Sequence, residues 1–115
     1  MLSHVEIYVS NLNRSCSLWG WLLERLGYEP FQSWPQGRSW KFRRTYVVFV
    51  QAPDDTLAAG YHRRRIGLNH LAFDAASREQ VDQLTDALRE RGVRILYEDR
   101  HPHAGGDDHT HTRAP

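Results

Sequence analysis

The 115 residues predict an α+β fold made of a strand-helix unit used twice, with the first copy continuing into three further strands. Three observations carry this prediction. His4-Val-Glu-Ile-Tyr-Val9 and His70-Leu-Ala-Phe-Asp-Ala75 each open on a histidine and run for about six residues with strand character. Each is followed by polar capping residues, an amphipathic helical pattern and a glycine, Gly27 or Gly92, about 22 positions after its histidine. Between the copies, over residues 28–50, the hydrophobic period shifts from helical to extended. A duplication of this kind puts two imidazoles at equivalent places, and a pseudo-twofold packing of the copies would aim both at one ion. His4 and His70 are therefore the first candidates for a metal site.

Along the first copy, Val5, Ile7 and Val9 alternate with His4, Glu6 and Tyr8, so the latter three share one face of a strand. Ser10 and Asn11 supply acceptors for the amides that open a helix. Leu18, Trp19, Leu22, Leu23 and Leu26 form its buried stripe and Gly27 stops it, while Trp21 falls off the stripe and is a candidate for a partner surface. Residues 28–34, 39–42 and 46–51 read as three strands, with a turn at 35–37. Val47, Val48, Phe49 and Val50 are continuously apolar, as in a central strand covered on both faces, and Gln51 is the first polar side chain to emerge from it.

Residues 53–66 show no period and join module one (1–52) to module two (67–98). The arginines at 63–65 and His62 read as solvated loop. In module two, Ser77 and Gln80 make a capping box, and Val81, Leu84, Ala87 and Leu88 make the buried stripe of a helix that ends at Gly92. Residues 93–97 read as the next strand. Beyond Glu98 no apolar residue exceeds alanine in size, so 99–115 reads as a flexible, histidine-rich tail and the second module lacks its last strands.

Hydrophobic content of 40% and charged content of 25% suit one soluble domain. A net charge of +1 argues against a dedicated nucleic-acid binder, which needs many clustered cations and a basic face. No apolar run approaches the length of a membrane span, and the chain opens on a strand rather than a secretory signal. The single cysteine, Cys16, has no internal disulfide partner and reads as a structural residue of the first helix. The expected setting is a reducing cytoplasm.

The order of features carries a family resemblance over about residues 1–106. His4-Val-Glu-Ile-Tyr-Val-Ser-Asn-Leu12, the helix after it, the strands at 40–51, and Gly67-Leu-Asn-His-Leu-Ala-Phe73 with its helix resemble the glyoxalase/bleomycin-resistance/dioxygenase superfamily, the vicinal oxygen chelate proteins. The resemblance implies paired strand-helix-three-strand modules whose curved mixed sheets enclose a cleft for a divalent metal. It further implies ligands from the first and last strands of each module: His4 and His70 match the first-strand positions, and Gln51 falls where the last-strand ligand of module one would lie. Members continue past a segment like Ala104-Gly105-Gly106 into two final strands, the last carrying a glutamate ligand. This sequence has no counterpart to that carboxylate. Glu6 and Glu98 are outside candidates. A sheet short of two strands leaves an open edge, so a homodimer is expected.

Two imidazoles and an amide oxygen suit zinc, nickel, iron, manganese or cobalt without choosing among them. A substrate with two adjacent oxygens would chelate such an ion, which as a Lewis acid stabilises negative charge developing beside it. Hemithioacetal isomerisation, ring-cleaving dioxygenation and epoxide opening by thiols all fit, and no catalytic base is assigned. The alternative is a non-catalytic module of bleomycin-resistance type, in which Trp34, Trp40, Tyr46 and Phe49 line a cleft that sequesters a planar or cationic small molecule. His101, His103, His109 and His111 read as adventitious metal binders.

Overall fold

Alternation of apolar and polar side chains in the first six residues after Ser3 produces β1 (His4–Val9), whose apolar residues are half-buried and whose His4, Glu6 and Tyr8 are exposed. The computed structural model describes residues 1–96 and 111–113. It divides the chain into two units, Met1–Tyr61 and His62–Pro115, and the division falls inside the stretch expected to link the modules.

In the first unit, α1 (Leu12–Arg25) opens on Asn11, whose side chain accepts from the Arg14 amide at 3.1 Å, and gives way to Gly27 at φ +97°. That dihedral lies in the left-handed region where glycine carries no Cβ penalty, so the sequence stop at Gly27 has its expected cause. Three strands follow: β2 (Glu29–Trp34), β3 (Gly37–Phe42) and β4 (Thr45–Gln51). The sheet order is β1-β4-β3-β2, with β1 parallel to β4 and the other pairs antiparallel. β4 is interior, which is why Val47, Val48 and Phe49 are all buried.

Helix α1 covers one face of this sheet. Leu12, Cys16, Gly20, Leu22 and Leu23 are its buried residues, and Trp19 stacks on Phe49 at 5.8 Å between centroids. Trp40 meets Phe49 edge-on at 5.9 Å and lies against Gly20, where a Cβ would come within 2.5 Å of the indole. The helix thus seats on the sheet at the one helical position without a side chain. Leu22 and Leu23 of the expected stripe are buried, Leu18, Trp19 and Leu26 are half-buried, and Leu12, Cys16 and Gly20 join the buried set, so the buried face is turned toward the side of Gly20. Trp21 sits half-buried under the Arg25 guanidinium, 4.7 Å from its ring centre.

The second unit carries β5 (Ala72–Asp74), α2 (Arg78–Glu90) and β6 (His111–Arg113), with β5 and β6 antiparallel. Ser77 accepts from the Gln80 amide at 3.1 Å, and the Gln80 side chain accepts in turn from the Ala76 amide at 2.6 Å. Leu84 and Leu88 are buried. Two expectations are overturned. Residues 93–96 form no strand, and Tyr97 lies outside the described residues. The tail reading of 99–115 fails at His111–Arg113, since a ladder is built from backbone groups and needs no large apolar side chain; its other residues lie outside the described ones. The fold is α+β with a four-stranded mixed sheet and a shorter second module.

Candidate functional site

The sheet face opposite α1 is set by strand register. Pairing of His4 with Tyr46 and of Tyr46 with Lys41 gives one row across the strands; Glu6, Val48 and Ser39 give the next; Tyr8, Val50, Gly37 and Trp34 give a third. Paired residues share a face. The regular alternation of β2 breaks between Pro30 and Ser33, and the Gln32 amide freed there donates to the Ser39 hydroxyl at 3.1 Å. This bond accounts for a serine only 1% exposed on an otherwise apolar patch. The break also places Phe31 on this face, where its ring meets Tyr46 at 5.3 Å and lies 4.5 Å from Lys41 Nζ. Gly37 leaves room for the Trp34 indole, which occupies the space a Cβ would fill.

The open face is therefore aromatic, formed by Tyr8, Phe31, Trp34 and Tyr46, with His4 and Glu6 on β1 and Ser39 and Lys41 on β3 among its polar groups. Tyr8 is 59% exposed, Phe31 45% and Trp34 38%, well above the core aromatics. His4 stacks on Tyr46 with centroids 4.6 Å apart and planes 12° apart, and its Nδ1 lies 3.3 Å from Ser3 Oγ. Glu6 follows two residues on, about 6.6 Å along the strand.

His70 is exposed and lies two residues before β5. Its Nδ1 is 2.9 Å from Asn69 Oδ1, and Asn69 Nδ2 donates to the Arg63 carbonyl at 2.9 Å. In each copy, then, the residue before the histidine engages Nδ1. Nε2 of both rings has no hydrogen-bond partner among the described residues, as an imidazole ligand requires. On that chemistry each imidazole, taken by itself, suits a divalent ion. Among the described residues no three His, Cys, Asp or Glu side chains gather into a ready-made cluster.

Gln51 is not brought to His4. Its Oε1 accepts from the Leu12 amide at 2.9 Å, and its Nε2 donates to the carbonyls of Ser10 at 2.8 Å and Ala52 at 3.3 Å. Register pairs it with Val9 at the far end of β1, roughly 16 Å along the strand from the His4 row. It shares the helix-covered face with Val47 and Phe49, so the expected ligand is instead a clamp on the β1–α1 turn. Trp40 and Phe49 also leave the expected aromatic cleft, since both are core under α1. Phe31, Ser3 and Asn69 are the site residues that sequence reasoning missed. Cys16 is buried, and burial pushes its thiol up against a smaller opposing effect of the Arg38 guanidinium, so it is no nucleophile.

A four-stranded sheet with one helix behind it and a histidine at the head of its edge strand defines a class. The chain matches the model of the Glyoxalase/Bleomycin resistance protein/Dioxygenase superfamily over residues 3–112 and belongs to that family. It is 55% identical over 108 residues to YqjT of Bacillus subtilis (strain 168), covering 94% of this chain and 84% of that protein. A putative glyoxalase from Bacillus halodurans superposes with a TM-score of 0.91 at 53% identity, covering 100% of this chain and 96% of the other. A mutant of the fosfomycin resistance protein FosX from Listeria monocytogenes, complexed with Mn(II) and a dihydroxypropylphosphonic acid, shares the fold at 20% identity. Its TM-score is 0.55, with 83% and 69% of the chains covered.

Proposed function

We propose that this protein binds a divalent metal ion through His4 and His70 and uses it to hold a small molecule by two adjacent oxygens. The reaction is of the lyase, isomerase or dioxygenase type found in the superfamily. The observation that carries the reading is common to both copies: the side chain before each histidine contacts its Nδ1, and Nε2 has no hydrogen-bond partner among the described residues. What the ion supplies when bound is Lewis-acid polarisation of the substrate oxygens. The chain's own residues do the rest: Tyr46 fixes the plane of the His4 ring, Glu6 offers the nearest carboxylate on the same strand face, and Tyr8, Phe31 and Trp34 present flat apolar surface to the substrate body. Family membership and the Mn(II) complex of FosX support metal use. Gln51 is not in the ligand set.

The aromatic face favours a second reading, sequestration of a planar small molecule without turnover. The proposal also includes a homodimer, supported by the edge strand β2, all six of whose residues are exposed. It places the protein in the cytoplasm, in keeping with a buried free thiol; no helix among the described residues is long and apolar enough to cross a membrane.

The test is a metal titration of full-length protein in which His101, His103, His109 and His111 are alanine, which removes the tail imidazoles while keeping the β5–β6 backbone ladder. Adding His4→Ala and His70→Ala is expected to abolish one equivalent of Co(II) or Ni(II) binding, and equal loading with and without these two changes would falsify the metal reading. Turnover of hemithioacetals, thiol–epoxide pairs or catechols by the metal-loaded protein separates catalysis from sequestration.

A further inference from the structure

The geometry points to Asn69 as the positioning residue that fixes the tautomer of His70, an inference that deepens the proposed metal role of His70 and rests on it for its purpose. The Arg63 carbonyl sets the arrangement, because it can only accept a hydrogen bond. It takes one from Asn69 Nδ2 at 2.9 Å, and this decides which way the amide faces. The opposite orientation would set two carbonyl oxygens against each other. Asn69 Oδ1 is thereby turned to His70 Nδ1 at 2.9 Å, and because that oxygen also only accepts, Nδ1 must carry the proton. A neutral ring with hydrogen on Nδ1 has its lone pair on Nε2. This is the reverse of the Nε2–H form that an unrestrained histidine side chain favours, so the loop holds the ring in the minority tautomer.

The first copy lacks this device. Ser3 Oγ, 3.3 Å from His4 Nδ1, can donate or accept and so leaves the tautomer of His4 undecided, while stacking on Tyr46 sets its plane. The two histidines are prepared by different means, a polar relay at 63–70 and an aromatic platform at 46. The relay spans the arginine-rich segment, which gives Arg63 a structural use for its backbone that is independent of its charge.

The experiment is a long-range proton–nitrogen correlation spectrum of the metal-free, 15N-labelled full chain, in the same His101→Ala, His103→Ala, His109→Ala and His111→Ala background as the metal titration, at a pH of about 8.5, above the ordinary imidazole range. The His70 signals are assigned by their loss in His70→Gln. The wild-type spectrum is expected to show a protonated Nδ1 and a bare Nε2 at His70. Asn69→Leu, which keeps the volume and removes the bonds to Arg63 and His70, is expected to return the ring to the Nε2–H form and to weaken Co(II) binding by about 10- to 100-fold. A second variant, Asn69→Gln, checks that the loop still folds: it retains the amide on a longer arm and should recover part of the wild-type pattern. An Nε2–H tautomer in the wild type, or an Asn69→Leu spectrum identical to wild type, overturns the inference. The wild-type tautomer with no metal bound by any form overturns the ligand role proposed for His70 instead, so the two failures are distinguishable.

Discussion

Replacing Gln51 by alanine separates a structural role from a ligand role at the position where sequence and structure disagree most. The side chain joins three backbone groups 39 to 41 positions away or adjacent: the Leu12 amide at 2.9 Å, the Ser10 carbonyl at 2.8 Å and the Ala52 carbonyl at 3.3 Å. Each of the two short bonds contributes about 1 kcal/mol net, and the long one little. The Leu12 amide belongs to the first turn of α1 and has no intrahelical acceptor, so losing Oε1 adds a penalty for a poorly solvated donor. The sum is about 2–3 kcal/mol of lost stability. At about 4 °C per kcal/mol for a chain of this size, the melting midpoint falls by roughly 8–12 °C. Urea denaturation measures the free energy and metal titration of the same sample measures the donor set. A loss below about 0.5 kcal/mol, within the range of ordinary surface substitutions, would refute the clamp. A fall in Co(II) affinity matching that of His4→Ala would also refute it, and would return Gln51 to the metal.

Two further outcomes follow from the core. Gly20→Ala gains about 1 kcal/mol of helix propensity but drives a methyl group to 2.5 Å from the Trp40 indole, which is 6% exposed and boxed in by Phe49; a net loss of about 1–3 kcal/mol is expected in denaturant melts. Cys16, its thiol pushed up by burial, holds its proton in the folded chain at a pH where the unfolded chain has released it. Stability from this residue is intact below the ordinary thiol range and declines as pH rises through and beyond it; Cys16→Ala should flatten that alkaline slope, and native Cys16 should react with a thiol reagent only as fast as the protein unfolds.

The first unit was legible because its elements announce themselves locally. Asn11 and Gly27 cap as their chemistry dictates, as Ser77 and Gln80 do in the second unit, and the four apolar residues of β4 mark the strand with neighbours on both sides. The site was less legible for reasons of phase. Phe31 and Trp34, three apart, belong on opposite faces of a regular strand; only the break in β2 puts both on the open face, and no residue pattern signals it. Gln51 shares the parity of Val47 and Phe49, so its side chain faces the helix, yet identity alone makes it look like a ligand. β6 escaped notice because its pairing is carried by main-chain groups in a segment of small and polar residues.

The four tryptophans are distributed unequally over the first unit. Trp19 and Trp40 lie beneath the sheet against Phe49, Trp21 sits under Arg25, and Trp34 lies against Gly37 in the row that contains Tyr8. The face thus carries its own optical gauge: a guest settling there quenches or shifts the emission of Trp34 before it disturbs the other indoles, and a Trp34→Phe variant supplies the blank. Unlabelled compounds can be screened by fluorescence in this way without an assay for turnover.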